Sequence, residues 1–304
     1  MDSFTFIADV QQAFSFADGF LRWLSLHVYS KHYLLLGAML YWSGFQRLAL
    51  SLSCSVLLST LFFLFIKPLI AAPRPYMLDT SLFQGIRESG YGMPSGHSQN
   101  ATVFWGLLAW RLRSPIITAI ALLFIVTIAL SRVYLGVHFP SQVLTGIAIG
   151  CLVLLLWVYF SQQASIILAT ISRKMFFSIF LGIAVIAPII MLASELVLGA
   201  ATQTATHKHL LLLIGVAIGL IINHGLDDTT TMNLCTLQLL VRTVLGFFIT
   251  ILIWQLTATT PTLIKSTISI YSYSFLRGLL ITLWSIIFWP WLHRRLCVPG
   301  SIPA

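Results

Sequence analysis

PIITAIALLFIVTIALSRVYLGVHFPSQV, residues 115 to 143, is the stretch that decides the fold. From Pro115 to Ser131 it holds no charged side chain, and a helix of that length covers about 26 Å, close to the ~30 Å of a bilayer's hydrocarbon core. The run ends on Ser131 and Arg132, and a second apolar run opens just past His138. Two apolar segments meeting at a short polar junction read as consecutive membrane spans with their polar groups held at one membrane surface.

The same composition extends outward in both directions. Of 304 residues, 58% are hydrophobic and 8% are charged, against roughly 25% charged in a soluble domain. Lipid must therefore solvate most of this surface. Apolar runs of near-spanning length fall at 33 to 46, 49 to 70, 98 to 112, 115 to 132, 139 to 160, 176 to 198, 208 to 223, 236 to 256 and 268 to 291, which predicts nine spans. Residues 1 to 32 differ: Phe4, Ile7, Phe14, Phe20, Leu21 and Leu24 recur among Asp9, Gln11, Asp18 and Arg22, the pattern of a helix lying in the interface. The expected organisation is an interfacial segment (1 to 32), a membrane core (33 to 160), a polar cytoplasmic linker (161 to 174) and a further four-helix membrane region (175 to 304). Gly146 with Gly150, and Gly215 with Gly219, have the spacing of close helix packing.

The formal charge of +9 comes from 17 bases and eight acids, but the bases stand singly or in pairs, with no stripe or tail suited to nucleic acid. Membrane topology explains them better. Arg47, Arg111, Arg113, Arg173, Lys174, Arg294 and Arg295 fall on one side of the predicted spans, and by the positive-inside rule that side is the cytoplasm. The loops around 72 to 97 and 132 to 139 then lie on the outer face. Cys54, Cys151, Cys235 and Cys297 have no metal or disulfide spacing and read as small buried hydrophobes.

Three clusters break the apolar pattern. Lys67 ends a span and is followed by Pro68, Pro73, Arg74 and Pro75, where the prolines stop the helix. Pro94, Ser95, Gly96 and His97 stand at the mouth of the third span, where unpaired backbone N–H groups and the helix dipole favour an anion. Ser131, Arg132 and His138 form the third cluster. The predicted topology puts all three on one membrane face.

Together they resemble the type 2 phosphatidic acid phosphatase (PAP2) superfamily, whose signature is Lys-x6-Arg-Pro, Pro-Ser-Gly-His and Ser-Arg-x5-His-x3-Asp. This chain reads Lys67-x6-Arg74-Pro75, Pro94-Ser95-Gly96-His97 and Ser131-Arg132-x5-His138, and departs at the last position, where Gln142 stands for Asp. The resemblance covers roughly residues 33 to 160. It implies an all-α transmembrane bundle and a metal-independent, cofactor-free phosphatase acting on a lipid phosphate or diphosphate of the phosphatidate, phosphatidylglycerophosphate or isoprenyl diphosphate type. It further implies His138 as nucleophile through a phospho-histidine and His97 as acid to the leaving group. Lys67, Arg74, Arg132, Ser95 and the backbone at Gly96 would hold the phosphate. Gln142 can accept the ring N–H of His138 as Asp would, without the charge.

The motifs bring no paired carboxylates for magnesium. Asp79 and Glu88, in the loop between the first two motifs, are candidates to compensate for the missing carboxylate but read first as solvated loop charges; Gln99 and Asn100, within reach of a substrate, read first as packing residues. Two alternatives remain open: a lipid phosphotransferase using the same intermediate, and a non-catalytic lipid-binding or transport protein on the same fold. The expected setting is multi-pass, in a bacterial inner (cytoplasmic) membrane, with the site outward; the oligomeric state is open.

Overall fold

A computed structural model describes residues 3–88, 90–170, 236–259 and 267–297. The chain is helical, and no strand occurs among the described residues. In order it forms α1 (Ser3–Ala13), α2 (Asp18–His27), α3 (Ser30–Trp42), α4 (Gln46–Ile70), a single turn α5 (Pro75–Leu78), α6 (Gly96–Leu112), α7 (Pro115–Tyr134), α8 (Pro140–Thr170), α9 (Thr236–Thr259), α10 (Thr267–Leu283) and α11 (Trp289–Cys297). Two compact units divide it: residues 1–34 with 52–166, and residues 35–51 with 167–304.

Among the described residues, five segments are long and apolar enough to cross a membrane: Gln46–Leu78, Pro115–Tyr134, Pro140–Ser161, Leu237–Thr257 and Tyr273–His293. This makes the chain an integral membrane protein of the polytopic all-α class. Five of the nine expected spans correspond to these segments. The run at 33 to 46 is the 13-residue α3, about 20 Å long and too short to cross by itself. Gly44, with φ of +94°, turns the chain before α4 begins. The run at 98 to 112 is the 17-residue α6, whose first turns are polar and buried in protein. Those predicted at 176 to 198 and 208 to 223, and the pair Gly215 and Gly219, lie outside the described residues. Helix α8 continues through Thr170, so the segment expected as a linker begins as helix.

In the first unit, α6 is gripped on both sides. A Cβ on Gly146 of α8 would come within 2.5 Å of the Ser95 carbonyl oxygen, and one on Gly150 within 2.8 Å of the Gln99 carbonyl oxygen. These two glycines let α8 press against the start of α6, as small residues do at membrane helix contacts. On the opposite face of α6, a Cβ on Gly96 would meet the Phe63 ring of α4 at 2.8 Å. Inside the unit, Gln99 Nε2 donates to Ser59, and Asn100 Nδ2 donates to Ser30 and Thr60, so both amides pack as expected.

The N-terminal helices lie on this unit. Ile7, Val10 and Leu21 join a core with Leu82, Val133, Leu135, Val137 and Val143, while Phe16, Phe20 and Trp23 stay exposed. Gln11 Nε2 donates to the carbonyls of Leu82 and Tyr134, and Arg22 holds Asp18 and the Gln84 carbonyl. The loop between α5 and α6 is thereby tied down from outside. In the second unit, Trp42 Nε1 donates to the Ser285 carbonyl and Trp289 Nε1 to the Arg242 carbonyl. Buried indoles need such partners.

Candidate active site

Four chain segments converge at one end of the first unit: the exit of α4 through α5, the loop before α6 with its first turn, the α7 terminus, and the turn into α8. Each arrives for a local reason. Pro75 opens α5 and leaves Arg74 extended at its N-cap (φ −92°, ψ 156°), as a residue before proline prefers. Ser95 caps α6 in extended geometry, and its own N–H donates to the Gln142 carbonyl, joining α6 to α8. Gly136, at φ +62°, turns the chain between Arg132 and His138, and a Cβ there would strike the Leu82 carbonyl at 2.2 Å.

At the centre is His138, fully buried. Its Nδ1 lies 3.2 Å from Gln142 Oε1. That amide cannot be turned round, because Oε1 also accepts from the Phe139 N–H at 3.2 Å and Nε2 donates to the Pro73 carbonyl at 2.8 Å. His138 Nδ1 therefore carries the proton, and Nε2 keeps a lone pair. Arg74 Nη1 donates to this Nε2 at 3.1 Å and to the Val137 carbonyl at 3.0 Å, while its Nε donates to the Gly90 carbonyl.

Arg132 is buried as completely as His138, with one guanidinium nitrogen on Ser25 Oγ of α2 and another on Glu88. His97 lies against Tyr29, with ring centroids 4.8 Å apart and planes tilted by 52°. The N–H groups of the first turn of α6, at Gly96 and His97, have no acceptor inside the helix. Ser95 Oγ meets Ser98 Oγ at 3.1 Å. Lys67 is half-exposed, its ammonium 5.3 Å from the Phe63 ring centroid.

Glu88 corrects the sequence reading. Asp79 is a solvated loop charge that caps Ser81, but Glu88 is the hub of the cluster. One carboxylate oxygen lies 3.1 Å from Arg74 Nη1 and the other contacts Arg132 Nη2. Each also lies 3.8 Å from a histidine nitrogen, His97 Nδ1 or His138 Nε2. Burial would raise this carboxyl, but the facing charges, Arg132 foremost, hold it well below the usual carboxylate range. The histidines move the other way. Burial, helped by Arg132, pushes His97 down to about 3, and burial with Arg74 and Arg132 holds His138 well below the usual histidine range.

Residues 48–166 match the family described as the PAP2 superfamily. This segment of the chain is similar to the PAP2 superfamily. The chain is 29% identical over 161 residues to lipid phosphate phosphatase delta of Arabidopsis thaliana, covering 48% of this chain and 39% of that protein. It is 34% identical over 87 residues to phosphatidylglycerophosphatase B of Bacillus subtilis, covering 26% and 43%. The chain thus spans about two fifths of the length of these curated relatives. A crystal structure of a transmembrane PAP2 type phosphatidylglycerolphosphate phosphatase from Bacillus subtilis aligns over 53% of this chain and 94% of its own, with 23% identity and a TM-score of 0.36.

The matched segment brings Arg74, Ser95, Gly96, His97, Arg132, His138 and Gln142 to one end of the first unit. Lys67 reaches the cluster by charge, adding to what keeps both histidines neutral. Two members were not singled out from the sequence. Glu88 carries no spacing signal toward its partners, and Ser25 lies 107 residues from the arginine it holds.

Proposed function

We propose that this protein removes phosphate from a lipid phosphate or diphosphate through a phospho-histidine on His138. The observation that carries the reading is the fixed tautomer of His138: a buried imidazole whose Nδ1–H is held by Gln142, so that the lone pair stays on Nε2, where Arg74 Nη1 donates to it at 3.1 Å. A nucleophile for phosphoryl transfer needs that lone pair, and the transferring group needs cations on its equatorial oxygens. Nε2 attacks phosphorus as the bond to the leaving oxygen breaks, and His97 gives that oxygen its proton. Arg74, Arg132 and Lys67, with Ser95 and the N–H groups at Gly96 and His97, hold the phosphoryl oxygens. Water then attacks the phospho-histidine and releases phosphate, returning the lone pair to Nε2.

The relatives are named for lipid phosphates, and five candidate spans keep this chain in lipid. A substrate whose tail stays in the bilayer while its headgroup enters the basic pocket fits both facts. The excess of Lys and Arg in the loops opposite the site supports an outward-facing site in a bacterial inner membrane, although Arg22, Lys31, Arg87, Lys208 and Lys265 fall on the site's own side. The interfacial N-terminal segment would then flank the pocket, and residues 175–304 would form a separate membrane region.

The test is phosphate release from purified protein in detergent micelles, with phosphatidate, phosphatidylglycerophosphate and isoprenyl diphosphate as substrates, chelator being present throughout. Release that disappears in His138→Ala, with acid-labile, base-stable phosphate trapped on the unaltered protein, is the expected result. Phosphate passed to glycerol or a lipid hydroxyl in place of water would make it a phosphotransferase. No release from any lipid would leave the domain as a binding or transport module.

A further inference from the structure

Glu88 occupies the position that a phosphoryl group must take. Its two oxygens rest on Arg74 and Arg132 and lie between His97 Nδ1 and His138 Nε2, 3.8 Å from each. A group transferred in line from a leaving oxygen beside one histidine to the other has to sit on the same cations and between the same rings. Two anions cannot share that seat, so substrate binds by exchange with the carboxylate.

The exchange requires only a side-chain rotation. The loop backbone is pinned, with Tyr76 Oη donating to the Glu88 carbonyl, Arg74 Nε to the Gly90 carbonyl and Arg22 to the Gln84 carbonyl. The Glu88 side chain is 21% exposed, against 0 to 4% for Arg74, Arg132, His97 and His138. Of this cluster it is the member that faces out, and it has a route to water.

Building on the phosphatase reading above, we propose that Glu88 is a specificity-determining residue. Its carboxylate holds the phosphoryl seat against singly charged phosphodiesters and yields it to a terminal phosphate. A phosphodiester headgroup offers the two arginines one charge and two free oxygens, no more than the carboxylate already supplies. The carboxylate is also tethered, with an effective concentration in the millimolar range or above. A terminal phosphate brings about −1.5 to −2 charges and three oxygens. The third oxygen has a use here: Arg132 Nε is a buried donor with no acceptor among the described residues. In a membrane where phosphodiester headgroups outnumber any phosphomonoester, such a counter-ion keeps the site from filling with bulk lipid.

The experiment compares the full chain with Glu88→Gln and Glu88→Asp in detergent micelles, titrating inorganic phosphate and then competing it with phosphatidylglycerol, a diester. In the unaltered protein phosphate binds and phosphatidylglycerol does not displace it. In Glu88→Gln phosphate binds at least about tenfold more tightly, since like-charge competition worth upwards of 1.4 kcal/mol is gone, and phosphatidylglycerol becomes a competitor. Glu88→Asp keeps the charge and so keeps the discrimination. Phosphate binding that is unchanged or weaker in Glu88→Gln, or continued rejection of the diester, overturns the proposal. A Glu88→Gln chain that fails to fold even in saturating phosphate makes Glu88 a structural counter-ion and overturns it equally. An unaltered protein that neither binds phosphate nor releases it from lipid takes down the phosphatase reading first, which separates the two failures.

Discussion

Gln142 Oε1 faces His138 Nδ1 at 3.2 Å, and the rest of the amide is locked by the Phe139 N–H and the Pro73 carbonyl. This does with a neutral group what the family signature does with a carboxylate: it selects the tautomer. A hydrogen bond to a group that becomes cationic is worth about 1.5 to 3 kcal/mol, which corresponds to roughly 10- to 100-fold in rate. Gln142→Ala should lower kcat by that factor with KM little changed, since the phosphate contacts remain. Gln142→Glu keeps the acceptor but sets a carboxylate oxygen against the Pro73 carbonyl, and it should fall within about tenfold of the unaltered protein. Steady-state kinetics on one lipid phosphate separates these outcomes; a larger loss in KM than in kcat would assign Gln142 to substrate binding.

If His97 protonates the leaving oxygen, its importance must depend on the leaving group. General acid catalysis contributes about 10²- to 10⁴-fold, and only where the departing oxygen is basic. His97→Ala should lose activity on that scale with an alkyl phosphate and retain much of it with an aryl phosphate such as p-nitrophenyl phosphate. Equal losses on both would mean that His97 holds phosphate without giving it a proton. His138→Ala should abolish turnover of both.

Most of the site was legible because it lies at helix ends and uses residue types that phosphate chemistry demands. Lys67, Arg74, His97, Arg132 and His138 stand where apolar runs stop, and the structure gathers all but Lys67 around Glu88. Glu88 was only partly legible, as one of two loop acids able to stand in for the missing carboxylate. It lies in a loop without periodicity, and its partner Arg132 is 44 residues away, so only tertiary structure distinguishes it from the solvated Asp79. The bounds of the apolar runs were less legible for a related reason. Hydropathy counts apolar letters, and cannot see that Gly44 ends one run early or that the polar start of α6 is solvated by Ser30, Ser59 and Thr60.

Phosphate binding should take up a proton at neutral pH. In the empty site His97 is pushed down to about 3 by burial and Arg132, and is therefore neutral at pH 7. Exchanging the single charge of Glu88 for a phosphate dianion beside the ring favours its protonated form and raises the pKa toward neutrality. Binding must then weaken as pH rises, because the proton taken up is part of the complex. Calorimetric titration of inorganic phosphate at pH 7 in two buffers of different ionisation enthalpy should show net uptake approaching one proton, reduced in His97→Ala. Uptake that is unaffected by this substitution would place the proton on the phosphate itself.

Two glycines provide the last prediction, because identical changes should act in opposite directions. Gly146 presses α8 against the cap of α6, where a Cβ would lie 2.5 Å from the Ser95 carbonyl oxygen, a backbone atom that cannot swing aside. Gly146→Ala must push α8 off the Pro-Ser-Gly-His turn and strain the Ser95 N–H bond to the Gln142 carbonyl, which spans this contact. Overpacking of this kind costs about 1 to 3 kcal/mol. At Gly19, in α2, an added Cβ would meet nothing within 4 Å, and alanine there removes a glycine penalty of up to about 1 kcal/mol in a helix. In detergent, Gly146→Ala should lower the melting temperature and reduce kcat together, because the turn that carries His97 moves with the helix. Gly19→Ala should raise the melting temperature slightly and leave kcat alone. A Gly146→Ala protein with full activity and stability would mean that α8 does not press on the cap of α6 in the membrane.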